Sequence, residues 1–150
     1  MTAMTATARV RPRTISASPN CPPGTLLVLR EGAGTATHIG LYTITNSHRL
    51  DLTTGMFTNG TFVKTAADGS QLFGTYSGSG TVLVPPSPVG RFLISGTLAF
   101  TGGTGRFVGA TGALSMEGVQ VTDFSLMGFP TEVVLRMKGT ISSVGSRNRP

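Results

Sequence analysis

Thr101-Gly102-Gly103-Thr104-Gly105-Arg106-Phe107-Val108-Gly109-Ala110-Thr111-Gly112 joins two apolar runs, and its reading decides how the rest of the chain folds. Glycine reaches positive φ without a Cβ clash and lets backbones approach closely, so five glycines in twelve residues predict a tight corner between strands. Upstream, the alternation is clean. Phe92, Ile94, Gly96, Leu98 and Phe100 share one face, and Leu93, Ser95, Thr97, Ala99 and Thr101 share the other, the period of a strand with one buried side. Downstream, residues 113–121 form another strand, with Leu114, Met116 and Gly118 on the apolar face and Ser115 and Glu117 opposite.

The same alphabet runs through the chain in both directions. Strands are expected at 25–29, at 33–45 around His38, Ile39, Leu41, Tyr42 and Ile44, in a short piece at 49–52, and at 57–66 and 71–84. The last strand, 132–141, places Val133, Leu135, Met137 and Ile141 together. Asp68-Gly69 predicts a two-residue hairpin turn of the mirror-image type, which needs positive φ at both positions. Pro85-Pro86-Ser87-Pro88 marks a loop, since proline lacks the ladder donor, and 124–130 reads as an apolar connection over a barrel end. Gly-Thr pairs recur at irregular intervals of 6 to 36 residues, which excludes a solenoid and leaves the glycines as bends in curved strands. Seven or eight such strands close best into an antiparallel barrel, because closure removes exposed edges.

Composition sets the bounds. A chain of 150 residues suits one domain, and 12% charged residues with 21 glycines favour strands and turns over helices. The net charge of +6 sits mostly at the ends, in Arg9, Arg11, Arg13, Arg147 and Arg149; between them seven basic residues face six acidic ones, a net of +1. Phosphate binding needs a basic cluster on a folded face, so solvated tails are expected and no nucleic-acid partner. The expected division is therefore a flexible or extended tail over 1–24, a barrel over 25–141 and a basic tail over 142–150. Cys21 stands alone between prolines, which excludes an intramolecular disulfide. The first 24 residues contain no apolar run of a secretory leader, and nothing downstream reaches a membrane span, so a cytoplasmic protein is expected.

Gly102-Gly103-Thr104-Gly105-Arg106-Phe107, followed by Gly109-Ala110-Thr111-Gly112 opening a strand, resembles the corner of the allene oxide cyclase-like and dirigent-like barrels, which are calycin-like in form. The stretches 34–40 and 66–73 look like segments of small bacterial members, and the resemblance spans roughly residues 25–141. It implies an eight-stranded antiparallel barrel, a homo-oligomer (dimer or trimer), and an apolar lumen holding a small hydrophobic molecule. Members of that family bind or cyclise such molecules, acting largely by confining them. The family's catalytic acids and asparagines match no position here.

Three functions follow as expectations: a barrel that binds a small hydrophobic ligand, a cyclase or isomerase of a polyketide- or lipid-like intermediate, and a structural barrel filled by its own side chains. A binder requires a continuous void above ~300 Å³. Tyr42, Tyr76, Phe62, Leu72, Phe92, Ile94 and Phe100 are the candidate ligand-lining residues, with Ile39, Leu41, Leu98, Leu114 and Met116 sharing the lumen, and Arg106 offers a guanidinium to a carboxylate or an anchor for the corner. For catalysis the candidates are His38, as a proton shuttle on an alternating strand, and Glu117 if its strand turns it inward. No cofactor is expected. Nor is a metal, since His38 and His48 are ten residues apart without clustered acids.

Overall fold

The computed structural model describes residues 2–16, 24–85, 89–123, 125 and 131–142. Eight strands follow in an antiparallel meander: β1 (Thr2–Ser16), β2 (Thr25–Ala36), β3 (Gly40–Asp51), β4 (Met56–Ala66), β5 (Gln71–Val84), β6 (Val89–Gly103), β7 (Gly112–Asp123) and β8 (Thr131–Ile141). Each pairs with its neighbour in the chain. β1 also pairs with β8, from Thr2 opposite Ile141 to Val10 opposite Val133, so the sheet closes into a barrel. The all-β, eight-stranded antiparallel barrel is thus the fold observed.

The first strand corrects the expected tail. Within residues 1–24, Thr2–Ser16 form β1, with Met4, Ala6, Ala8 and Val10 buried inside and Thr5, Thr7, Arg9 and Arg11 outside. Arg9 spends its charge on an exposed pair with Glu132, Nη1 to Oε1 at 3.1 Å. The expected strand over 33–45 is two strands. Thr37-His38-Ile39 reverses the chain between β2 and β3, with His38 at φ +69°. The Asp68-Gly69 hairpin also differs in type: only Gly69 has positive φ (+85°), its N–H donates to Ala66 O, and Ala66 N–H donates to Ser70 O, making a three-residue loop. Residues 17–23 with Cys21, 86–88, 124, 126–130 and 143–150 lie outside the described residues.

At one end the glycine corner acts as a plug. A 3-10 turn, Gly105–Phe107, carries the fully buried Phe107 into the barrel, and Ala110 follows it. Gly105 holds φ +57°, and a Cβ there would overlap Ser70 Oγ. Arg106 ties the plug to two other turns: Nε donates to Asp68 Oδ2 at 3.0 Å, Nη1 to His38 O at 2.6 Å and Nη2 to Ile39 O at 3.0 Å. Beneath it, Met4, Leu72, Phe100, Leu114, Val133 and Ile141 form a packed core.

One irregularity fixes what reaches the interior. Ser47 pairs with Thr61 but Arg49 with Thr58, so β4 carries one extra residue around Thr58-Asn59, with Asn59 at φ +52°. Such a bulge shifts side-chain parity. Phe57 therefore points inward together with Gly60, Phe62, Lys64 and Ala66, although the intervening count would set Phe57 and Phe62 on opposite faces.

Candidate functional site

Parity on β2, β3, β5 and β7 sends a set of polar side chains into the middle of the barrel. Arg30 shares the inward face of β2 with Leu26 and Val28; Asn46 and His48 share that of β3 with Tyr42, Ile44 and Leu50. Arg30 Nη2 reaches across the lumen to Gln120 Oε1 at 3.2 Å, and Gln120 Nε2 donates to Thr122 Oγ1 at 3.2 Å. Asn46 Nδ2 donates to Tyr76 Oη at 3.0 Å, and Tyr76 Oη lies 2.6 Å from His48 Nδ1. Burial, then the Arg30 guanidinium, hold His48 down to about 3, so its ring is neutral at neutral pH. The phenol proton finds its acceptor at Nδ1, which leaves the proton of the neutral ring on Nε2, a buried atom with no hydrogen-bond partner.

Lys64 is likewise 1% exposed, with Nζ 4.7 Å from the centroid of the Tyr42 ring and 5.5 Å from that of Phe62. Burial lowers it to about 8. The two rings solvate the ammonium in part. Nζ has no hydrogen-bond partner, and the same holds for Arg30 Nε and Asn46 Oδ1. Lys64, Arg30 and Asn46 together border a void of about 30 Å³, enough for a single water molecule.

The polar layer is the floor of a larger space. A cavity of about 600 Å³ extends from Arg30, His48, Gln120 and Thr122 to the β3–β4 turn at residues 52–55, between walls formed by Leu26, Leu50, Phe57, Val82, Phe92 and Ile94. That volume falls within the ~300–1,000 Å³ of small-molecule sites, and its walls are apolar with a few convergent polar groups. Among the described residues, the barrel is therefore filled toward the corner and hollow toward the other end.

The expected site residues divide between these halves. Phe92 and Ile94 line the cavity. Tyr76 supports it from the floor through His48. Tyr42, Phe62, Leu72 and Phe100 belong to the packed core instead, where Tyr42 donates to Thr7 O at 2.8 Å and Phe62 packs edge-on against Phe100. Ile39, Leu98, Leu114 and Met116 are buried as expected, but Leu41 is 70% exposed because the turn before it resets parity. Arg106 sits at the far end, anchoring the corner.

Both catalytic candidates face outward. His38 is an exposed turn residue, its Nε2 3.1 Å from Ala3 O, and Glu117 is exposed opposite Arg136, as its parity dictates. Arg30, His48, Lys64 and Gln120 are the interior groups that sequence reasoning passed over. Their signal was positional: each lies an even number of residues from an inward apolar neighbour on its own strand. Among the described residues, no group of three or more His, Cys, Asp or Glu is placed to hold a metal ion, and no helix is long and apolar enough to cross a membrane. Comparison of the chain with protein-family models, curated proteins and solved structures returned no match.

Proposed function

We propose that this barrel binds a small hydrophobic molecule in the cavity between the Arg30–Gln120 floor and the β3–β4 turn. The observation that carries the reading is the 600 Å³ space itself, walled by Leu26, Leu50, Phe57, Val82, Phe92 and Ile94 in a barrel whose other half is packed solid. Close packing is the rule in protein interiors, so a hollow half retained beside a filled half supports use of the hollow. A structural barrel needs no such space.

Cyclisation or isomerisation of a bound molecule has a specific support too. It requires a polar group in an apolar lumen, and the unpartnered Nε2 of His48 at the cavity floor is one. With its ring neutral, His48 would serve as a hydrogen-bond donor to a carbonyl oxygen rather than as a base. Mass analysis of recovered ligand separates the readings: a binder returns it unchanged, and an isomerase returns a rearranged product.

Gly80 gives the direct test of occupancy. It lines the cavity, and a Cβ there meets only Ile94 Cδ1 at 3.4 Å and Gly55 O at 3.8 Å, so a larger side chain has room to grow into the space. N-phenyl-1-naphthylamine, a neutral fluorophore that brightens in apolar surroundings, is expected to bind the wild-type chain saturably. Gly80→Phe should weaken it about tenfold or more while the fold is kept. Equal binding by the two proteins, or none by either, contradicts the proposal.

A further inference from the structure

Resting on that reading of the cavity, we infer that its ligand is an organic monoanion: an apolar body against the Leu50, Phe92 and Ile94 walls, and one negatively charged head group set on Arg30 and His48 at the floor. The starting point is an imbalance of charge. Among the described residues the interior holds two cations, Arg30 and Lys64, and the chain has only six carboxylate side chains to offer them. None is used that way. Glu31, Asp68, Glu117 and Glu132 are exposed on the outside, and Asp68 and Glu132 are already paired with Arg106 and Arg9. Asp51 lines the cavity near the β3–β4 turn, away from the floor, and turns its Oδ1 to the N–H groups of Thr53 and Thr54, and Asp123 turns its own to Ser125. Among the described residues, neither Arg30 nor Lys64 has an ion-pair partner.

A buried cation left without an anion is costly, and folded proteins ordinarily pair it. Here the missing charge has a place to enter. Arg30 lines the cavity and, among the described residues, commits one side-chain hydrogen bond, from Nη2 to Gln120, out of the five donors a guanidinium carries. Gln120 is itself steadied through Thr122, so the guanidinium is held at the floor rather than free to swing. His48, 1% exposed, is another lining residue of the same floor, and its buried Nε2 has no hydrogen-bond partner among the described residues. A planar fork beside a neutral donor suits a carboxylate-like head, and Lys64 beneath adds positive potential without touching the cavity. The apolar walls above argue against a multiply charged ligand, whose remaining charges would be stranded there.

Displacement of N-phenyl-1-naphthylamine by two compounds with one tail tests this: decanoate and 1-decanol. Decanoate is expected to displace the fluorophore from the wild-type chain at a concentration about tenfold lower or better, the ratio a charge-assisted hydrogen bond provides. In Arg30→Gln that gap should close, the two compounds being compared after the fluorophore's own affinity for the variant is measured, and a cooperative urea unfolding transition reports that the variant has folded. Equal displacement by the two compounds in the wild type, or the same gap persisting in Arg30→Gln, overturns the inference while leaving the cavity reading intact. Failure of the fluorophore to bind the wild type defeats the cavity reading and this inference with it.

Discussion

Lys64 sets the pH dependence of the molecule on the alkaline side. Its ammonium is held to about 8 in the folded barrel against an ordinary 10.5, so below about 8 both states are charged and the burial penalty is present in full. Between about 8 and 10.5 the unfolded chain keeps a proton that the folded one has shed, and stability rises with pH. Above 10 the trend reverses. Burial raises Tyr42 and Tyr76 well above their ordinary 10.0, so the folded phenols retain protons that the unfolded chain loses. Urea denaturation should show a stability maximum in this alkaline window, and Lys64→Met should gain about 1–3 kcal/mol at neutral pH and lose the rise, because an apolar chain replaces an unpaired buried charge. A flat wild-type profile would contradict the burial. On the acid side His48 works in the same sense as Lys64: held to about 3 against 6.5, it stays neutral while the unfolded chain protonates, and stability falls as pH drops through that interval. Asp68 and Asp123 are lowered from 3.8, chiefly by hydrogen bonds from Ser70 and Ser125 respectively, and act only below that value. His48→Gln should therefore flatten the profile above about pH 4 and leave the steeper acid limb in place.

At the scale of elements, the corner between β6 and β7 works as a plug held by Arg106. Its guanidinium joins the 3-10 turn, the β2–β3 turn and the β4–β5 turn, and it lies 4.5 Å from the centroid of the Phe107 ring. Arg106→Ala is expected to cost about 1–2 kcal/mol, discounted because Asp68 is exposed, and to speed hydrogen exchange at Phe107 and Ala110 ahead of the rest of the barrel. Uniform exchange in the variant would show that the corner holds without it. The corner was legible in sequence because only glycine explains that spacing, and the clean alternations of β6, of β7 up to Gly118 and of β8 from Val133 were legible because the inward residues there are apolar or glycine. Legibility failed where parity and polarity disagree. Lys64 lies between Phe62 and Ala66 on one face, so its position is written in the strand, but its charge reads as solvent-facing. His48 and Arg30 are concealed in the same way. The shift at Thr58-Asn59 is a different case, since nothing local announces that a strand will slip register there; Asn59 tolerates its left-handed backbone, but asparagine does so in any turn.

The whole molecule depends on β1, the element least visible in the sequence. Met4, Ala6, Ala8 and Val10 alternate with Thr5, Thr7 and Arg9, but two alanines carry so little apolar signal that the stretch reads as a tail with basic residues. Small side chains belong there. A narrow barrel already holding Phe62, Phe100, Phe107 and Lys64 has little room left along that wall. Removing residues 2–11 should expose the edges of β2 and β8 together and abolish the cooperative unfolding transition, as circular dichroism would report; a tail could be removed with no loss. Closure by β1 and plugging by Phe107 leave a barrel that is solid at one end and hollow at the other, with a cationic layer between. Backbone and methyl chemical shifts recorded while N-phenyl-1-naphthylamine is titrated into the wild-type chain test that division most directly. Shifts should gather at Leu26, Leu50, Thr54, Val82, Phe92 and Ile94 and leave Leu72, Phe100 and Phe107 unmoved. Shifts centred on Leu72, Phe100 and Phe107, or confined to the outer face, would contradict it.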